Sequence, residues 1–98
     1  MATTVETIRF KLRDGIADDD FRRRNRQVET EYMAKQSGFV SRETSRSGDG
    51  EYLVVVHWAS EADAEKTVAA FFGAPQTQEF LAAVDVSTVA SGRYLLVR

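Results

Sequence analysis

The run Tyr52-Leu53-Val54-Val55-Val56-His57-Trp58 restricts the fold more than any other stretch of this chain. It is far too short for a membrane span, which needs about 18 or more apolar residues, and its valines and aromatic ends suit a strand. Because strand side chains alternate, Tyr52, Val54, Val56 and Trp58 share one face, and Leu53, Val55 and His57 share the other. Both faces are apolar, so this strand belongs in the middle of a sheet that is covered on each side.

The flanking segments supply the rest of the sheet. Ser47-Gly48-Asp49-Gly50 lies between Phe39–Arg46 and the opening run, and a glycine-containing loop between two strand-like runs signals a hairpin. A four-residue loop sets Arg46 opposite Glu51, Glu43 opposite Val54 and Phe39 opposite Trp58. It predicts Phe39, Ser41 and Glu43 on the Trp58 face, with Val40, Arg42 and Thr44 on the His57 face. Thr4–Leu12 alternates, with Ile8, Phe10 and Leu12 on its buried side, and reads as a half-buried strand closed by Asp14-Gly15. Arg93–Arg98 reads as a last strand after a loop around Asp85 to Gly92.

Two helices and a short third one fall between these strands. Asp18 or Asp20 caps a helix running to about Gln36, whose inward stripe is Phe21, Asn25, Val28 and Tyr32 and whose stop is Gly38. Ser60 caps a second helix, with Asp63 three residues on and Ala64, Val68, Phe71 and Phe72 as its apolar side. Pro75 precedes a short helix over Thr77–Val84 that carries Phe80, Leu81 and Val84. The order βαββαβ, with an extra short helix before the final strand, specifies an α+β, ferredoxin-like domain with an antiparallel sheet spanning residues 1–98. Its helices cover one sheet face, and the apolar second face of the opening run predicts a homodimer packed sheet to sheet.

Composition excludes several chemistries. The 98 residues hold no cysteine and one histidine, so disulfides, thiolate sites and cysteine nucleophiles are absent, and no metal site is expected. Ten of the thirteen Lys and Arg residues precede residue 50, and the densest cluster of them, four arginines, sits in Asp18-Asp19-Asp20-Phe21-Arg22-Arg23-Arg24-Asn25-Arg26. There Asp18/Arg22, Asp19/Arg23 and Asp20/Arg24 are spaced for helical ion pairs, which reads as a solvated helix face and not as a nucleic-acid surface. The opening residues lack the succession of an export signal and no segment suits a membrane, so a cytoplasmic protein is expected.

Gly38-Phe39 entering a strand, Glu43 within it, an apolar strand ending in Trp58 and Ser60 opening a helix resemble the antibiotic biosynthesis monooxygenase family of the dimeric α/β barrel superfamily. The resemblance covers nearly the whole chain. It implies a dimeric α/β barrel with a pocket in each subunit between sheet and helices. That pocket would take a small aromatic or polyketide-type metabolite, with oxygen activated by the substrate and no cofactor. A tryptophan at the end of this strand and a nearby asparagine shape such sites, which makes Trp58 and Asn25 the candidate catalytic residues.

The chain departs from some branches of that family. Glu65-Lys66-Thr67-Val68 carries no histidine where haem-degrading members hold iron, and Gly73-Ala74-Pro75-Gln76-Thr77 keeps the proline but lacks the histidine of the polyketide cyclases. Both activities are therefore disfavoured. The alternative to a monooxygenase-like enzyme is a non-catalytic dimeric module that binds a small ligand or regulates a partner.

The remaining candidates follow from chemistry at each position. Tyr32, Tyr52 and Tyr94 offer hydroxyls to a ligand carbonyl, and Phe71 and Phe80 suit an apolar pocket wall. Glu43 beside aromatics could act as a base, or could form a salt bridge at the sheet rim. His57 points away from Trp58, toward the partner subunit. No Ser/His/Asp arrangement or phosphate-cradling loop can be assembled.

Overall fold

A computed structural model describes residues 3–97. Strand β1 is Thr4–Leu12, helix α1 Asp18–Glu31, β2 Phe39–Arg46, β3 Tyr52–Trp58, α2 Glu61–Phe71, α3 Gln78–Ala83 and β4 Val84–Leu95. Single 3₁₀ turns at Met33–Lys35 and Pro75–Thr77 follow α1 and precede α3. The four strands form one antiparallel sheet in the order β2-β3-β1-β4, the ferredoxin-like arrangement. As the apolar pattern requires, β3 is an inner strand, hydrogen-bonded on both edges. No helix among the described residues is long and apolar enough to cross a membrane.

The helices lie on the face that carries Tyr52, Val54, Val56 and Trp58, all buried, together with Phe10, Phe21, Val28, Phe80 and Val84. Phe10 packs edge-on against Phe21 and Phe80 and stacks with Tyr52, with ring centroids 5.7 to 5.9 Å apart, so one end of the core is aromatic. The other face holds Val5, Thr7, Leu53, Val55, His57 and Tyr94, and no described element covers it.

The hairpin departs from the expected register. Five residues, 47–51, connect β2 to β3, Arg46 pairs with Tyr52, and Arg42 pairs with Val56. Phe39 does oppose Trp58, because a bulge between Phe39 and Ser41 absorbs one residue at Val40. A one-residue slip exchanges the faces. Arg42, Thr44 and Arg46 therefore join the helix-covered face, while Ser41 and Glu43 turn outward. The charges thought to meet at the turn separate as well: Arg46 pairs with Asp18, and Glu51 with Arg9.

The termini of the helices also differ in detail. Ala17, not an aspartate, is the N-cap of α1, and Asp18, Asp19 and Asp20 occupy its first turn, where carboxylates favour the positive end of the helix dipole. Of the three expected pairs, Asp20–Arg24 forms at 3.2 Å; Arg22 and Arg23 reach back three residues, and Asp18 turns to Tyr52 and Arg46. Helix α1 ends five residues before Gln36, continuing as the 3₁₀ turn. Gly38 takes φ +79° beside Asp63, and Ser60 Oγ accepts the Asp63 N–H at 3.2 Å to cap α2.

The segment expected to be a loop is part of β4, a twelve-residue strand. It bulges against β1 between Arg9 and Lys11, where Asp85 accepts from the N–H of Ser87 and Thr88 Oγ1 accepts from the N–H of Lys11. The polar residues that suggest a loop are spent on this bulge. Val86 and Val89 stand out from it, both exposed.

Candidate functional site

Between the inner sheet face and α2 and α3 lies an apolar cavity of about 350 Å³. Its floor is Ile8 and Phe10 of β1, Val54 and Val56 of β3, and Ser91 of β4. Thr67, Val68 and Phe71 of α2, Phe72 just after it, and Phe80 and Leu81 of α3 form its roof, and Val86 and Val89 of the β4 bulge stand at its rim. Helix α2 packs through Ala64 and Thr67, both buried, which leaves Val68 and Phe72 at the mouth, Phe72 66 % exposed. This explains why an apolar stripe longer than the core needs was written into α2.

Two charged side chains line this cavity, Arg42 and Glu6. They share a row across the sheet: Arg42 of β2 faces Val56 of β3, Val56 faces Glu6 of β1, and Glu6 faces Arg93 of β4. The bulge at Val40 is what brings Arg42 into that row.

Glu6 is 6 % exposed and fixed at both carboxylate oxygens. Trp58 Nε1–H donates to Oε1 at 3.2 Å, and Arg93 approaches Oε2 at 3.7 Å while its other nitrogen reaches Glu65 at 3.6 Å. A buried carboxylate needs such partners, because an unpaired one costs several kcal/mol of lost hydration.

Arg42 has a side chain only 3 % exposed. Its Nη2–H donates to Asn25 Oδ1 at 2.7 Å and its Nη1–H to Glu29 Oε1 at 3.2 Å, and its guanidinium lies 5.8 Å from the centre of the Phe80 ring. Burial lowers its pKa from the usual arginine value, against the opposing effect of Glu29. Asn25 Nδ2–H completes the network by donating to Thr44 Oγ1 at 3.1 Å. The polar member of the α1 stripe thus satisfies a buried cation.

The candidates read from sequence divide by place. Phe71 and Phe80 line the cavity. Trp58 is 0 % exposed, packs edge-on against Phe39 at 5.9 Å, and touches the site through Glu6. Asn25 lies behind Arg42. Tyr32 donates its hydroxyl to the Thr67 carbonyl at 3.2 Å, and Tyr52 donates to Asp18 at 2.5 Å. Both hydroxyls are engaged within the fold. Glu43 sits on the outer face because of the β2 bulge, and Tyr94 lies there too, over Gly92. Sequence reading missed Glu6 and Arg42. Glu6 lies on the buried side of an alternating strand, a detectable signal, whereas Arg42 depends on a bulge that no residue pattern announces.

Among the described residues no three His, Asp or Glu side chains converge as a metal site. The surface of α1 lined by Asp19, Arg22, Arg23 and Arg26 is a solvated face on which Arg22 pairs with Asp19 and Arg23 with Asp20.

No protein-family model matches the chain, and no curated protein matches it. Solved structures do. The chain superimposes on SnoaB of Streptomyces nogalater, a cofactor-independent oxygenase, with a TM-score of 0.78 and 18 % identity, covering 100 % of this chain and 96 % of that one. A Bordetella bronchiseptica protein, provisionally assigned as an antibiotic biosynthesis monooxygenase, matches with a TM-score of 0.82 and 13 % identity over 100 % of both chains. A dimeric Bacteroides fragilis protein of unknown function and ferredoxin-like fold matches at 0.64 and 14 % identity over 96 % of both. At these identities the likeness is one of fold.

Proposed function

We propose that the chain is a cofactor-independent, monooxygenase-like enzyme of the antibiotic biosynthesis monooxygenase type, acting on a small aromatic or polyketide-type metabolite. The observation that carries this reading is the cavity of about 350 Å³, walled by Phe10, Phe71, Phe80 and valines and holding one carboxylate and one guanidinium. An apolar-walled pocket with few convergent polar groups is the form of a small-molecule site. The likeness of fold to a cofactor-independent oxygenase supports the choice of reaction class.

In this reading a flat, electron-rich ring lies on Val54 and Val56 under Phe71 and Phe80, and the ring itself supplies the electrons that reduce dioxygen. One oxygen atom enters the ring carbon as a carbonyl, and the other leaves as water. Trp58 acts by holding Glu6, and Asn25 by holding Arg42, so both are positioning residues. Phe71 and Phe80 contact the ring. Tyr32 and Tyr52 brace the walls, and Glu43 and Tyr94 lie outside the site.

The homodimer belongs to the same proposal. Val5, Leu53, Val55 and Tyr94 form an apolar outer face that a second sheet would cover, and a protein of like fold is described as dimeric.

The test is oxygen uptake with anthrones and with 1-naphthols that have a free para position, monitored together with quinone absorbance. Equal consumption of oxygen and formation of quinone, lost on filling the cavity with Val56→Trp, is the expected result. Ligand binding without oxygen uptake from any of them would favour the non-catalytic module instead. One observation favours that second reading: the core is closed around Trp58, which has no contact with the cavity space.

A further inference from the structure

The cavity floor is electrically polarised, and its poles define the ligand. Arg42, Val56 and Glu6 lie side by side on β2, β3 and β1. At about 4.8 Å between neighbouring strands, Arg42 and Glu6 stand about 10 Å apart at the backbone. Between them there is only valine. Each pole is held rigidly from behind, by Asn25 and Glu29 for the cation and by Trp58 and Arg93 for the anion. Each also has capacity left. A guanidinium has five N–H donors, of which two are used here, and a carboxylate has about four acceptor positions, of which Trp58 takes one and Arg93 faces another.

Resting on the reading of this cavity as the ligand site, we propose that it selects flat bicyclic or larger arenes that carry an anionic or strongly accepting oxygen at one edge and a hydroxyl at the opposite edge. The accepting oxygen binds Arg42 and the hydroxyl donates to Glu6. The ring system between them spans Val56, which offers no polar contact. Charge-assisted hydrogen bonds are about twice as strong as neutral ones, so the two ends contribute most of the orientation while the ring contributes area. A ligand with anions at both edges meets Glu6 with like charge and is rejected.

This arrangement has four consequences that binding alone can read, whether or not any turnover occurs. The probes are 6-hydroxy-2-naphthoate, 2-naphthoate, 2-naphthol and 2,6-naphthalenedicarboxylate, titrated calorimetrically. In the unaltered protein 6-hydroxy-2-naphthoate binds tightest, and the dicarboxylate binds more weakly than 2-naphthoate. In Arg42→Gln both monocarboxylates weaken by about tenfold or more, the loss expected for a charged hydrogen bond, while 2-naphthol changes less than about twofold. In Arg42→Lys, which keeps the charge and loses the fork, part of the preference returns. In Glu6→Gln, whose amide oxygen still accepts from Trp58, the preference for 6-hydroxy-2-naphthoate over 2-naphthoate collapses toward unity and the dicarboxylate gains affinity.

Retained 2-naphthol binding in the Arg42 variants, and retained 2-naphthoate binding in Glu6→Gln, show that the fold and the cavity are intact. An Arg42 that serves only to tie β2 to α1 would weaken all four probes alike, and that outcome overturns the proposal. So does an unchanged hydroxyl preference in Glu6→Gln. If 2-naphthol binds the unaltered protein and the naphthoates bind no better, the polarity inference fails while the cavity reading stands. If no probe binds at all, both fail together.

Discussion

Replacing Trp58 by Phe tests the idea that the tryptophan acts through Glu6. The substitution removes one donor from a carboxylate that is 6 % exposed and accepts that donor at 3.2 Å. Losing a hydrogen bond to a charged group costs about 1.5–3 kcal/mol. The indole is also fully buried, and a ring smaller by about 40 Å³, at about 24 cal/mol per Å³ of cavity, adds about 1 kcal/mol. The sum is about 2.5–4 kcal/mol. For a domain of this size each kcal/mol lowers Tm by about 4–8 °C, so a drop of about 10–30 °C is expected. Urea unfolding at one fixed protein concentration gives the free energy, the concentration being held because association would otherwise shift it.

The hydrogen-bond part is isolated by a double-mutant cycle with Glu6→Met, which removes the acceptor and keeps the length of the side chain. Once the acceptor is gone, Trp58→Phe should cost only the packing part, about 1 kcal/mol, so the cycle should show coupling of about 1.5–3 kcal/mol. Additivity within about 0.5 kcal/mol would refute the reasoning, because it would mean that the indole N–H and Glu6 are energetically independent.

Further outcomes follow from other parts of the fold. Gly38→Ala should destabilise far more than Gly15→Ala, since both glycines have positive φ but only at Gly38 would the new Cβ collide with the Asp63 side chain, which accepts from the Ser60 hydroxyl that caps α2; urea midpoints compare the two. The αL strain common to both is about 1–2 kcal/mol, and loss of the cap adds about 1 kcal/mol at Gly38. Val55→Asp on the outer face should convert a species of twice the 11.0 kDa chain mass into a single chain in sedimentation, and an unaltered protein that already sediments as a single chain at micromolar concentration would overturn the dimer. Tyr52 has its pKa raised by burial and then by its bond to Asp18, so the folded state resists its ionisation. Its stabilising contribution is therefore complete below the unfolded tyrosine value near pH 10 and is lost as pH rises beyond it. Tyr52→Phe should flatten the alkaline fall in urea midpoint, and an unchanged slope would count against this assignment.

Whatever depends on local periodicity could be read from the chain. The two-faced run over Tyr52–Trp58 implied an inner strand, and it is one. The stripe Phe21, Val28 and Tyr32 implied the buried side of α1, and Ser60 with Asp63 implied a capped α2. These follow because a side chain's direction within a helix or strand is set by its nearest neighbours in sequence.

The candidate site was only half legible for the opposite reason. Phe71 and Phe80 were found because apolar stripes mark walls. The polar groups of the cavity were assigned elsewhere, to Trp58, Asn25 and Glu43. One bulged residue at Val40 exchanges the faces of the rest of β2, turning Glu43 outward and Arg42 in. The β4 bulge likewise converts an apparent loop at Asp85 to Gly92 into strand and rim. A bulge is decided by how two strands settle against one another and against the helices above them, through contacts distant in sequence. The chain by itself therefore determined the elements, their order and the central place of Tyr52–Trp58. Only the tertiary structure decided that Glu6 and Arg42, 36 positions apart, face one cavity across Val56.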